Sequence, residues 1–243
     1  MTNRLLQPPP QAKAAPSTGT LYLYDAIGSD GFTGVGEKDV VAALAELRAA
    51  GHTDLEVRVS SPGGSVFAGL AIYRAIAEWK GKKTCMVDSL AASAASFIML
   101  ACDRVLIAPQ AMVMVHEAQG VAFGRAEDME ATAALLRKAN DSIVGIYSTR
   151  TKMDPDQARE YMAAETWFTA QQAVDAGLAT AVLEDDREPV SANSDAASAV
   201  MATFKNTPQQ LRPLVKPEAL LRLEMRLLRE KLSKASSRGV TPG

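Results

Sequence analysis

Two histidines bound the acid–base chemistry open to this 243-residue chain. Hydrolysis by a serine, a histidine and an acid needs one imidazole within reach of one hydroxyl. His52 lies in the turn G-H-T-D, a surface context, whereas His116 closes the apolar run A-M-V-M-V, where a strand would hand a polar group to the edge of a buried layer. A lone histidine after an apolar strand is more often structural than catalytic, so its company decides. The turn S-P-G-G at 61–64 follows a strand and opens a helix, and glycine backbone there lets N–H groups face a substrate with no Cβ in the way, a natural half of an oxyanion hole. The segment A-A-S-A-A-S places Ser93 and Ser96 among alanines at the start of a buried helix, where small neighbours leave room for a peptide and the helix N-terminus favours negative charge. Taken one at a time, the turn is only a turn and both serines are small packing residues.

The elements that must position these groups follow from periodicity. Leu21 to Tyr24 is a short β-type run, and a glycine-rich turn from Gly28 to Gly36 precedes a helix ending at Gly51. L-E-V-R-V-S at 55–60 alternates like a strand, and V-F-A-G-L-A-I-Y-R-A-I-A-E-W reads as a helix after the S-P-G-G-S turn. T-C-M-V-D is the next strand, L-A-A-S-A-A-S-F-I-M-L-A-C a buried helix, and R-V-L-I-A and A-M-V-M-V-H further strands. A long helix from about Ala126 to Arg150 carries Met129, Leu136 and Ile143 every seventh residue. A shorter helix starts at Asp154 as N-cap with Pro155 in its first position, and L-A-T-A-V-L-E is the last strand. Strands alternating with helices at this rhythm predict an α/β domain with right-handed crossovers.

The composition, 47% hydrophobic and 22% charged, is that of a folded chain rather than a disordered one. Cys85 and Cys102 have no C-x-x-C spacing and neither histidine near them in sequence, which argues against a disulfide framework or a zinc cluster and suits a reducing compartment. The first twenty residues, rich in proline and lacking the apolar stretch of a secretory signal, read as a disordered arm. The longest uncharged stretch, Ser89 to Cys102, is too short to anchor the chain in a membrane. Residues 1–203 hold 17 Lys and Arg against 25 Asp and Glu, while residues 204–243 hold 9 against 3, so a body of charge −8 carries a tail of +6. The body has no nucleic-acid signature. Residues 185–216 read as a linker, and 217–243 as a tail in which Leu221, Met225, Leu228 and Leu232 stripe an amphipathic helix. Too short to be firmly stable alone, that helix needs a partner surface: the acidic body, another tail, or an acidic protein that brings substrates.

The motifs together resemble the Clp-type serine peptidases, the ClpP family, over Leu21 to Glu184. They occur in order: V-S-S-P-G-G-S followed by G-L-A-I-Y, A-A-S at 91–93, M-V-M-V-H at 112–116, G-x-A-x-D at 124–128, and W-F-T-A-x-x-A-x-x-x-G-L at 167–178. The resemblance implies a ClpP/crotonase-like spiral of β-α-β units, with Ser93 as nucleophile, His116 as general base, and the N–H groups of Gly64 and Ala94 as the oxyanion hole. It implies an acyl-enzyme and no metal or organic cofactor. The family's acid, an Asp just before the stretch matched by T-W-F-T-A, is replaced by Glu165, whose extra methylene demands a different backbone offset. The long helix matches the element that bridges stacked rings, which implies a homo-oligomer.

Within the family, E-T-W-F-T-A, the L-A-A-S-A-A-S context, the short arm and the extra C-terminal region look most like the phage and prophage head maturation proteases, which cut scaffold and capsid precursors. On that reading the chain works in the host cytoplasm. The rival is the housekeeping Clp peptidase, which docks an unfoldase ATPase; the proline-rich arm offers no matching motif. Two other classes stay open: an enoyl-CoA hydratase or isomerase of the same spiral architecture, which needs no Ser-His pair, and a non-catalytic assembly protein on the same fold.

Overall fold

The computed structural model describes residues 17–28, 34–184, 201 and 203–208. The amphipathic stripe at 221–232 and most of the expected linker lie outside the described residues.

The chain starts as a parallel α/β sheet. Strand β1 (Thr18–Tyr24), helix α1 (Glu37–Ala49), strand β2 (Asp54–Ser61), helix α2 (Val66–Ala77) and strand β3 (Lys83–Ala92) follow in turn. β1 pairs with β2 and β2 with β3, all parallel. Their alternate residues Leu21, Leu23, Leu55, Val57 and Val59 are buried, and α1 and α2 add Val40, Leu44, Ile72 and Ile76 to the same core. β1 begins at Thr18, which moves the expected boundary of the N-terminal arm back by three residues. The α2 start is set chemically: Ser65 caps it by accepting from the Ala68 N–H at 3.3 Å.

β3 then forks, and the fork builds the site. Its first half, Thr84–Val87, pairs with β4 (Arg104–Ile107), whereas Leu90–Ala92 pairs with β5 (Met112–Val115). Between the halves the β2–β3 register shifts, from Val59 opposite Val87 to Ser61 opposite Ala91. This corrects the expected helix over 90–102. Residues 90–92 satisfy their backbone groups in the ladder to β5, and helix α3 (Ala94–Ile98) begins only after Ser93, continuing as one 3-10 turn, Met99–Ala101. Alanines have no strong strand preference of their own, so tertiary pairing overrides the local helical signal.

Helix α4 (Ala126–Arg150) and helix α5 (Pro155–Ala163) lie as expected, with Asp154 accepting from the Gln157 N–H at 2.8 Å as the α5 cap. The α4 seam divides, however. Ile143 is buried with Ala139, Val144 and Tyr147 in the domain's own core, while Met129 is half exposed. Strand β6 (Thr166–Thr169), which the sequence reading did not anticipate, pairs antiparallel with β5. Helix α6 (Ala170–Asp175) follows, and the last strand shrinks to β7 (Ala181–Val182), paired with β4.

A second, smaller cluster covers the opposite side of the fork. Ala92 and Met114 pack there with Met201 and Phe204, flanked by Leu90 and Trp167. Part of the stretch read as linker is therefore a packed segment of the domain.

Candidate active site

Ser93 occupies the junction between β3 and α3 with φ 53° and ψ −121°, a conformation strained for any residue with a Cβ. Its N–H donates to Met114 O at 2.9 Å, extending the β3–β5 ladder by one bond. The strained turn lifts the hydroxyl out of the sheet, and the imidazole that follows β5 meets it. His116 Nε2 lies 2.8 Å from Ser93 Oγ. The two groups that the sequence placed 23 residues apart thus share one hydrogen bond.

The glycine turn lies directly against this junction. A Cβ on Gly63 would stand 2.6 Å from Ser93 Cβ and 2.5 Å from Ala92 O, so only glycine lets the turn approach. The Gly63 N–H donates to Ser61 Oγ at 3.1 Å, and Ser61 Oγ donates to Asp25 O at 2.5 Å, which pins the turn. Ile27 bridges the turn on its other edge, its N–H donating to Gly63 O and its carbonyl accepting from the Ser65 N–H. That bridge uses neither the donor of Gly64 nor that of Ala94. Ala94, as the first residue of α3, has no acceptor within the helix. Both N–H groups predicted for the oxyanion hole are thus unspent by the turn and the helix that carry them.

Burial holds the His116 imidazole below its ordinary value, and the Glu165 carboxylate offsets part of that shift. A neutral imidazole at neutral pH is the form that can take a proton from Ser93.

Glu165 is positioned by register. Val115 faces Thr166 across the β5–β6 pair, so one further step sets Glu165 opposite His116. Its backbone, at φ 50°, turns left-handed there, and only 7% of the residue is exposed. Yet its carboxylate does not meet the imidazole. Oε2 accepts from the Lys205 N–H at 2.9 Å and Oε1 from the Asn206 N–H at 2.5 Å, while His116 Nδ1 is buried with no hydrogen-bond partner among the described residues. The structure brings together Ser93, His116 and the glycine turn, and leaves Glu165 beside them with other partners.

Ser96, the rival hydroxyl, points elsewhere. Its Oγ donates to Ser93 O at 2.5 Å and pairs with the buried Tyr147 hydroxyl at 2.6 Å. Its role is to tie α3 to α4. His52 pairs with Ser17 Oγ at 3.2 Å in an exposed contact far along the sheet from this site, in line with its surface reading.

The chain matches the Clp protease family over residues 32–186. It belongs to that family. Among its curated relatives, the ATP-dependent Clp protease proteolytic subunit of Bacteroides thetaiotaomicron is 31% identical over 132 residues, which cover 54% of this chain and 60% of that protein. The protein of the same name from Chlorella vulgaris is 30% identical over 135 residues, or 55% and 67% of the two chains. That of Deinococcus radiodurans is 26% identical over 137 residues, or 56% and 67%. The chain spans about three fifths of the length of the first of these relatives. The mixed α/β architecture is that of the Clp protease fold.

In this Clp-family chain the sequence reading missed Phe204. Its ring meets the His116 ring edge-on at 5.2 Å between centroids and the Trp167 ring at 6.1 Å. The available signal was one aromatic residue in a polar stretch of Asp, Ser, Ala and Asn, a pattern with no period to read. The site also lacks a metal cluster among the described residues: no three His, Cys, Asp or Glu side chains converge to hold an ion.

Proposed function

We propose that the chain is a serine endopeptidase that works through an acyl-enzyme. The observation that carries this reading is the 2.8 Å contact between Ser93 Oγ and His116 Nε2 on a strained turn backed by Gly63. Ser93 Oγ attacks the scissile carbonyl carbon while its proton passes to His116 Nε2. The tetrahedral oxyanion sits between the N–H groups of Gly64 and Ala94. Collapse expels the amine, which takes the proton back from the imidazolium. A water deprotonated by His116 then releases the acid and restores the hydroxyl. Glu165 is the acid of this scheme, by its register opposite His116. An enoyl-CoA hydratase would make no use of the Ser93–His116 bond, and a CoA-thioester binding assay separates the two classes.

The substrates we infer are capsid and scaffold precursors cut during phage head maturation, in the host cytoplasm. E-T-W-F-T-A, the L-A-A-S-A-A-S context and the basic C-terminal region support this reading. A second reading is supported by the names of the relatives: a proteolytic subunit fed by an ATPase. On either reading the chain forms a homo-oligomer, supported by Val121, Met129 and Leu135, which are 69%, 50% and 49% exposed in and before the N-terminal half of α4. No helix among the described residues is long and apolar enough to cross a membrane.

Mass spectrometry of the wild type and of Ser93→Ala, each co-expressed with capsid and scaffold precursors, tests activity and substrate together. New termini in those precursors, absent with Ser93→Ala, are expected. Cleavage that persists with Ser93→Ala would overturn the nucleophile, and cleavage seen only with an unfoldase present would favour the second reading.

A further inference from the structure

We infer that Met201 and residues 203–207 form an intramolecular latch that holds the Glu165 carboxylate away from His116, so that the docked chain works with a serine–histidine pair and gains its third member only when the segment lifts. This rests on the serine peptidase reading of the same site.

The segment grips the site at two points. Its backbone donates twice to Glu165, from Lys205 N and Asn206 N, and so occupies both carboxylate oxygens. Asn206 Nδ2 adds a bond to Ala164 O at 3.0 Å, which ties the segment to the residue before Glu165. Its apolar side buries Met201 and Phe204 against Ala92 and Met114, the β3 and β5 residues that lead into Ser93 and His116. A carboxylate that sat on His116 Nδ1 would complete the relay. Here Phe204 packs on that ring instead.

The latch is poised rather than permanent, because it closes over groups it cannot satisfy. His116 Nδ1 and Trp167 Nε1 are both buried without a hydrogen-bond partner among the described residues, and both rings contact Phe204. Phe204 offers neither an acceptor. Buried unpaired polar atoms favour any rearrangement that pairs them. If Phe204 leaves, Nδ1 becomes available to Glu165 and the indole N–H to water. Glu165 itself sits at φ 50° one residue past the β5–β6 ladder, where a small backbone or rotamer change redirects its side chain toward the opposite residue, His116.

The direction of the effect separates a latch from a support. A support would orient Glu165 for catalysis, and removing it would slow the enzyme. Removing a latch speeds it. Two full-length variants loosen the segment by different means: Phe204→Ala takes away the apolar anchor, and Asn206→Pro removes one donated N–H. Lys205→Ala keeps its N–H and serves as the control. The readouts are the second-order rate of Ser93 modification by a fluorophosphonate and kcat/KM on a small fluorogenic peptide. We expect at least one of the two variants to raise both rates about tenfold or more, since an engaged acid is worth orders of magnitude in such relays. The control should match the wild type.

The acid limb of the rate profile gives the structural signature. Glu165 is the charged group whose field reaches His116; Glu117, next in the chain, instead faces Asn140 at 3.4 Å, and Lys205 is exposed. Engaging Glu165 should therefore move the limb to higher pH, and the gain should vanish when Glu165→Gln is added. Unchanged or slower rates in folded Phe204→Ala and Asn206→Pro would overturn the latch while leaving the peptidase intact. Failure of the wild type and both variants to react at Ser93 would instead overturn the peptidase reading.

Discussion

Two half-buried polar clusters lie five residues apart, one on β3 at Asp88 and one just past its end at Ser93, and they are built on opposite plans. At Asp88 every partner is in place: Arg58 binds the carboxylate through both Nε, at 2.9 Å, and an Nη, and the Tyr24 hydroxyl donates to the same Oδ2 at 2.7 Å. Burial and the neighbouring carboxylate push the Tyr24 phenol up to about 12, so it stays a donor across the working pH range. At Ser93 the backbone is strained, the imidazole has one partner instead of two, and the acid is engaged elsewhere. The first cluster locks three strands together with one charge-assisted fork. The second keeps an unmet hydrogen bond where chemistry would use it. Satisfaction of polar groups, rather than their burial, distinguishes a brace from a reacting site.

The sharpest way to break this contrast is to delete the reacting hydroxyl. Ser93→Ala should lower kcat on a peptide substrate by about three orders of magnitude or more while leaving the melting temperature within a few degrees, as judged by steady-state rates and calorimetry. In the latched wild type Glu165 acts on His116 through its field alone, so Glu165→Gln should lower kcat/KM only about two- to fivefold, and about tenfold or more once Phe204→Ala has freed the carboxylate. The same change should move the acid limb downward in pH. With the carboxylate gone, only burial acts on His116, and burial favours the neutral ring.

Asp88→Asn probes the brace. The substitution leaves the Arg58 charge facing a neutral amide, and we expect a loss of about 2 kcal/mol in denaturant unfolding. The rate of Ser93 modification per folded molecule should stay within about twofold. A large loss of reactivity at unchanged stability would erase the distinction between the clusters. The smallest effect belongs to Ser96→Ala, which strands the buried Tyr147 hydroxyl and should cost about 1–2 kcal/mol without changing the reacting serine. Inactivity of Ser96→Ala in a folded protein would return the nucleophile to the other serine of the segment.

The divide between what the sequence reveals and what it hides follows range. Ser93, His116 and the glycine turn each carry a local mark (small residues around a hydroxyl, a polar group ending an apolar strand, glycines where backbone approaches backbone), but no mark alone gives a role, and it was the ordered set of motifs and its resemblance to the Clp family that singled them out. The strands other than β6, with α2, α4 and α5, were legible from periodicity and caps such as Asp154. Residues 90–92 were not, because alanines carry no strand signature and only pairing with Met112–Met114 makes them one. The brace was invisible too. Tyr24, Arg58 and Asp88 sit on three strands and look like ordinary surface positions until the parallel register aligns them. Glu165 was found by its place before T-W-F-T-A, but its engagement by Lys205 and Asn206 depends on a contact spanning forty residues.

We propose that Ser93 is the activated hydroxyl and a neutral His116 its base. Reacting the full-length protein with a fluorophosphonate, mapping the adduct by mass spectrometry and following its rate against pH tests it most directly. One adduct is expected, on Ser93, abolished by His116→Ala. Its rate should rise with pH through a midpoint below the ordinary histidine value of about 6.5, because burial depresses the imidazole. Modification of another serine, or a Ser93 adduct that forms equally fast without His116, would contradict it.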